Sequence, residues 1–165
     1  MIDTARLAPD GESVAGELDS ACLEMQGEKW VRPLGCLGYS LEVQLFGTEL
    51  FARGRLWQEF NAVCSRCGGD FTFSVAVDDF AYSVEVLKDS PIVDLTDEFR
   101  QCILLALPTY PVCREDCRGV CPQCGGNLNE GDCPCKDVQG DLRWNALDAL
   151  GAGMKPGTEE QEREE

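Results

Sequence analysis

The sequence predicts an α+β domain: an antiparallel sheet, or a small open barrel, with a covering helix and a C-terminal Cys-rich zinc-binding appendage. Three observations carry this. Apolar and polar residues alternate over long stretches that begin near Tyr39 and Phe71, the period of a half-buried strand. A single stretch over 94–107 changes to a helical period. After Pro108 neither period survives, and cysteine, glycine and proline take over.

The strands read in order. Leu41, Val43 and Leu45 face one way and Glu42 and Gln44 the other, and Gly47-Thr48 supplies a hairpin turn. The returning strand runs over about 50–62, with Gly54 marking a bulge or a close backbone approach. It leads into Cys64. Past Cys67, Phe71, Phe73, Val75 and Val77 share one face, and Phe80, Tyr82, Val84 and Val86 resume the period of two after Asp78-Asp79. Four or more antiparallel strands follow from this pattern. Asp94 then caps a helix whose apolar stripe is Leu95, Phe99, Cys102, Ile103 and Ala106, stopped by Pro108. Cys102 on that stripe reads as a small buried hydrophobe. The first 38 residues have no clean period, and 14–25 reads as a short helix or an irregular edge.

These signals divide the chain into an α+β domain over 1–107, best defined over 39–107, a Cys-rich zinc-binding segment with a terminal helix over 108–150, and a disordered acidic tail over 151–165. The terminal helix is marked by Trp144, Leu147 and Leu150. With 165 residues the chain suits one main domain that buries about 70% of its unfolded surface.

Composition narrows the function. Residues 1–20 hold Asp3, Asp10, Glu12, Glu17 and Asp19 and no apolar run, so neither a secretory nor a transit segment is read there. A cytoplasmic location is expected, where thiols stay reduced. Eleven cysteines and no histidine then point to metal binding through thiolates and exclude Cys2His2 fingers. Ser-His-Asp and Cys-His catalysis are excluded as well, and no enzymatic activity is expected. The net charge of −16 disfavours an unaided grip on phosphate and favours basic protein partners.

The sharpest motif is Cys121-Pro-Gln-Cys124-Gly125, the form of a zinc knuckle. Two intervening residues let both sulfurs reach one tetrahedral ion, and glycine at the fifth position turns the chain so that amides face sulfur. Cys133-Pro-Cys135 follows after a loop with Asn127, Asn129 and Gly131 as turn formers. Cys121, Cys124, Cys133 and Cys135 are the preferred zinc ligands. Cys113 and Cys117 lie close enough to displace one of the C-x-C pair. Cys64 and Cys67 can complete a second site with Cys113 and Cys117, form a thiol pair, or close a turn without binding anything. A thioredoxin-like role is disfavoured, because the pair lies between antiparallel strands and not at the start of a helix. Cys22 and Cys36 receive no role.

Beyond these local signals, Val63-Cys64-Ser65-Arg66-Cys67 with Phe71, Leu104-Leu105-Ala106-Leu107-Pro108, the run from Pro111 through Cys113, Asp116, Cys117, Gly119, Cys121, Pro122 and Cys124 to Gly125, Asn127-Leu128-Asn129-Glu130 and Asp141-Leu142-Arg143-Trp144 together resemble the YceD family of large ribosomal RNA subunit accumulation proteins. The resemblance covers roughly 39–150. Gly68 stands where the family commonly has leucine, and Leu142 replaces the usual proline before Arg143. The resemblance implies a non-enzymatic ribosome-biogenesis factor that supports accumulation of large-subunit, 23S-type rRNA and brings no catalytic residues. Joined to the acidic charge, it implies a basic ribosomal protein or a pre-large-subunit particle as partner, without direct binding of naked rRNA. The competing readings are a thiol-redox or zinc-responsive protein and a zinc-stabilised interaction module outside the ribosome.

Overall fold

The structure is a computed structural model that describes residues 1–8, 10–86, 91–131 and 133–135. Contacts divide the chain into two units, Met1–Asp132 and Cys133–Glu165, and every described helix and strand belongs to the first. Four strands, β2 (Glu12–Asp19), β3 (Val31–Phe46), β4 (Glu49–Val63) and β5 (Asp70–Glu85), form an antiparallel sheet in sequence order. Its first and last strands do not pair, so the sheet is not a closed barrel. Two short strands, β1 (Ile2–Asp3) and β6 (Ile92–Val93), pair separately. One helix, α1 (Thr96–Leu105), follows β6. Among the described residues no helix is long and apolar enough to cross a membrane.

The core lies between α1 and one face of the sheet, as the alternation requires. Leu41, Val43, Leu50, Leu56, Phe60, Val75 and Phe80 point inward and are buried, as are Phe99 and Ile103 of α1. The Phe99 ring stands 5.3 Å from Tyr39 and meets Phe80 edge-on at 5.2 Å. Cys102 packs half-buried against this cluster, as its place on the stripe predicts. The Asp94 carboxylate accepts from the Thr96 amide at 3.1 Å and from its hydroxyl at 2.6 Å. The cap position itself is Leu95, one residue later than the sequence suggested.

Two irregularities shape the sheet. At the first, Gly54 pairs with Phe80 and Leu56 with Val77, so Arg55 faces both Asp78 and Asp79. The extra residue restores the phase: Val77 and Phe80, three positions apart, stay on the inner face, and the two apolar runs become one strand. Arg55 Nε lies 2.7 Å from Asp78 Oδ1. At the second, β3 shifts register between Leu34 and Gly38. Gln58 is fully buried beside it and donates to the carbonyls of Leu34 at 2.8 Å and Glu59 at 2.9 Å.

The amino-terminal third differs most from expectation. Residues 14–25 are neither helix nor irregular edge alone: the segment's whole first half lies in β2, and a short 3-10 turn, Ser20–Leu23, follows with Asp19 accepting from the Ala21 amide at 2.8 Å. β3 begins at Val31, ahead of the expected Tyr39. The alternation in β2 is obscured by Gly16, which leaves room for the Tyr39 hydroxyl, 2.7 Å from where a Cβ would stand. The expected terminal helix near Trp144 and the acidic tail over 151–165 lie outside the described residues.

Gly54 has φ +156°, and a Cβ there would collide with the Ser40 carbonyl. Gly54→Ala is therefore expected to destabilise the protein by about 2–4 kcal/mol. Gly47→Ala, in a turn at φ +65° with open space around it, should cost only about 1 kcal/mol. Denaturant unfolding followed by tryptophan fluorescence compares them. Equal midpoints for the two variants would refute the close approach at Gly54.

Candidate metal centre

The β4–β5 connection is a tight turn whose sequence, Cys64-Ser65-Arg66-Cys67-Gly68-Gly69, dictates its shape. The Cys64 amide donates to the Gly69 carbonyl at 2.8 Å, and the Gly68 amide to the Cys64 carbonyl at 2.9 Å. Gly68 takes φ +70°, a left-handed conformation costly for any residue with a Cβ. The Arg66 amide points at Cys64 Sγ, 3.4 Å away. The sequence repeats this hexapeptide pattern at Cys121-Pro122-Gln123-Cys124-Gly125-Gly126, and so does the geometry. There the Cys121 amide donates to Gly126 at 2.8 Å, the Gly125 amide to Cys121 at 2.9 Å, Gly125 sits at φ +71°, and the Gln123 amide lies 3.4 Å from Cys121 Sγ. Gly68, at the place that Gly125 holds in the second turn, thus makes the first turn a close copy of the second.

The first turn meets the segment after α1. Ser65 donates its amide to the Pro111 carbonyl at 2.9 Å, and Arg66 reaches the carbonyls of Glu115 at 3.1 Å and Cys117 at 3.5 Å. These bonds bring Cys113 and Cys117 onto Cys64 and Cys67. The four sulfurs lie within 4.8 Å of one another, with Cys64 to Cys117 and Cys67 to Cys113 both at 3.8 Å. A disulfide requires about 2.05 Å. Four thiolates around one zinc at about 2.3 Å, in a regular tetrahedron, stand about 3.8 Å apart. The donor set fits a tetrahedral thiophilic metal.

Its electrostatics agree. Burial raises the Cys64 thiol, but the amides of Cys67, Cys113 and Arg66 outweigh it and bring it down to about 6. Cys117 is also lowered: burial opposes, while the Gly119 amide and the Asn129 side chain favour the thiolate. Cys113 goes the other way, pushed up to about 12 by burial and by the sulfurs of Cys117, Cys64 and Cys67. For Cys67 the Gly69 amide favours the thiolate, but burial and the Cys64 and Cys117 sulfurs win and raise it. Four negative sulfurs at this spacing require a cation among them.

Cys121 and Cys124 belong to the first unit and Cys133 and Cys135 to the second. The cluster of Cys64, Cys67, Cys113 and Cys117 lies within the first unit and can hold a metal ion. Cys22, Cys36 and Cys102 fall outside it.

Asn129 is the residue sequence reasoning undervalued. Read as a turn former, it donates its side-chain amide to Cys117 Sγ at 3.4 Å and to Asn127 Oδ1 at 2.8 Å, and its carbonyl accepts from Arg114 at 2.8 Å and the Arg118 amide at 2.9 Å. Asn127 in turn meets Glu130 at 2.8 Å. The Asn-Leu-Asn-Glu run is a polar brace between the second turn and a sulfur of the first cluster. Its place in a run that resembles a known family motif was the available signal.

Comparison with known proteins places this region. Residues 77–151 match the family described as Large ribosomal RNA subunit accumulation protein YceD. An uncharacterized protein of Mycobacterium tuberculosis is 53% identical over 60 residues, 34% of this chain and 28% of that protein, and a Mycobacterium bovis protein matches with the same values. The Arabidopsis thaliana protein named Large ribosomal RNA subunit accumulation protein YCED homolog 1, chloroplastic, is 29% identical over 63 residues, 38% of this chain and 20% of its own. The chain thus spans less than a third of the length of these relatives. No solved structure matches.

Removing the amide that faces Cys117 should weaken metal binding without abolishing it. Asn129→Ala is expected to lower affinity about 10- to 100-fold, the usual cost of losing a hydrogen bond to a ligand. Competition with a chromophoric chelator measures this. Wild-type affinity in the variant would remove Asn129 from the site.

Proposed function

We propose that this protein is a non-enzymatic ribosome-biogenesis factor that supports accumulation of large-subunit, 23S-type rRNA in the cytoplasm, through protein partners and with structural zinc. The supporting observation is the match of residues 77–151 to the YceD family, strengthened by the name of the chloroplast relative.

Zinc is the metal that suits an all-cysteine tetrahedral set without redox chemistry. In this reading Cys64, Cys67, Cys113 and Cys117 hold one ion, and Cys121, Cys124, Cys133 and Cys135, first choice from their spacing, hold another. When bound, zinc supplies cross-links to a segment that has no apolar core of its own, and apparent binding energies of about 10–16 kcal/mol are ample for that task. Elemental analysis of protein purified under reducing conditions should find two zinc ions per chain. Cys64→Ser and Cys121→Ser should each lose one. Full zinc retention in either variant would refute that variant's cluster.

Charge suggests how an rRNA could depend on a protein that does not grip it. A surface of net charge −16 attracts a basic, partly unfolded ribosomal protein, and rRNA phosphate competes that protein away. Large-subunit rRNA left without it is exposed to degradation. Depletion should lower large-subunit rRNA relative to small-subunit rRNA, read by sucrose gradient and rRNA quantification. An unchanged ratio at slow and fast growth would remove ribosome assembly from the function. A gel shift should detect only weak binding to naked large-subunit rRNA; tight, salt-sensitive binding would replace the partner mechanism with direct contact.

A further inference from the structure

The sheet ends on β5, and that edge has what an added strand requires. Among the described residues β5 pairs with β4 alone, so its other side presents a row of backbone amides and carbonyls over a strand of 16 residues. Such edges are normally blunted by lysine, proline or short length. β5 contains no lysine, arginine, proline or glycine. The bulge at Asp78 and Asp79 bends the edge and leaves 70–77 as its regular stretch. That stretch starts directly after the turn held by the first sulfur cluster, and its solvent-facing side chains, Thr72, Ser74 and Ala76, are small and exposed.

Charge selects the occupant. Asp70, Asp79 and Glu85 on β5, and Glu59 opposite Ser74 on β4, are exposed and form no ion pair among the described residues. Asp78 is the strand's one acidic group that meets a cation, Arg55. A second copy of the chain would bring the same carboxylates to the edge and no countercharge, so β5-to-β5 pairing is repelled. A strand with lysine or arginine at alternate positions would place its cations on the carboxylate-bearing face. The opposite edge, β2, is half as long, 8 residues, with Gly16 within it.

We propose that residues 70–77 of β5 are a docking edge for an extended basic polypeptide segment, which adds as a fifth strand of the sheet. Backbone hydrogen bonds supply the hold and alternate cations supply the selection. This deepens the role proposed above and rests on it only for the source of the segment.

The test uses the full chain and a short synthetic peptide alternating lysine with valine. Residue-resolved hydrogen exchange should show new protection at alternate amides of 70–77, and binding should weaken with salt. The same peptide with N-methylated backbone amides, and one alternating glutamate with valine, should each bind at least about tenfold less tightly. A Thr72→Lys, Ser74→Lys double variant, which keeps the strand and turns the net charge of 70–77 from −1 to +1, should lose binding to a similar degree. Equal binding of the N-methylated peptide would overturn the proposal, as would protection falling on β2. So would β5 amides already protected in the free protein by the rest of the chain, or protected by a concentration-dependent dimer. Failure here leaves the rRNA measurement untouched. Unchanged rRNA ratios with intact peptide binding would instead keep the edge and remove its ribosomal source.

Discussion

The arrangement of this protein depends on one constraint: four sulfurs from distant parts of the chain must all lie within 4.8 Å of one another. Cys64 and Cys67 arrive from the end of a strand, Cys113 and Cys117 from a segment with no periodic apolar pattern. That segment cannot hold itself in place by burial, since a packed core needs more apolar surface than it contains. What attaches it to the sheet is the sulfur group with its surrounding amide, arginine and asparagine bonds. The small apolar cluster around Cys64, Cys67 and Cys117 adds only Phe71, Val112 and Cys113. The main core, by contrast, is built by ordinary packing of α1 on the sheet and needs no such cross-link.

The two hexapeptide turns show why the chemistry takes this form. A sulfur accepts amide bonds only when the backbone after it curls back, and the curl needs a residue at positive φ. Glycine at 68 and 125 meets that need. Once the turn is formed, its amides offset the negative charge that burial would otherwise forbid. The opposed directions of the four thiols, two lowered and two raised, express the remaining imbalance, which a cation among them would remove.

The sheet carries a second constraint with consequences at its surface. Arg55 opposite two aspartates lets a long strand change its alternation without turning its apolar residues outward. The inner face gains a continuous core from Phe73 to Val84. The outer face and edge are left small, polar and acidic, which combines strand-pairing capacity with a charge that selects against like chains.

The sequence by itself determined the elements whose signal is local. The hairpin at Gly47-Thr48, the period-two runs, the Gly54 irregularity and the helix stripe through Phe99 and Ile103 were legible because each depends on neighbours a few residues away. The capacity to hold a metal ion through thiolates was legible too, in cysteine spacing and the absence of histidine. Only the tertiary structure decided the rest. β2 was hidden because Gly16 is explained by the Tyr39 ring on another strand, and no local pattern predicts that accommodation. The grouping of Cys64 and Cys67 with Cys113 and Cys117 spans the whole of β5 and α1, so spacing left it as one choice among several. Asn129 looked like a turn residue because its partner sulfur is brought to it by the fold. Local periodicity is encoded in adjacent residues, whereas ligand grouping and hydrogen-bond braces exist only after distant segments are packed together.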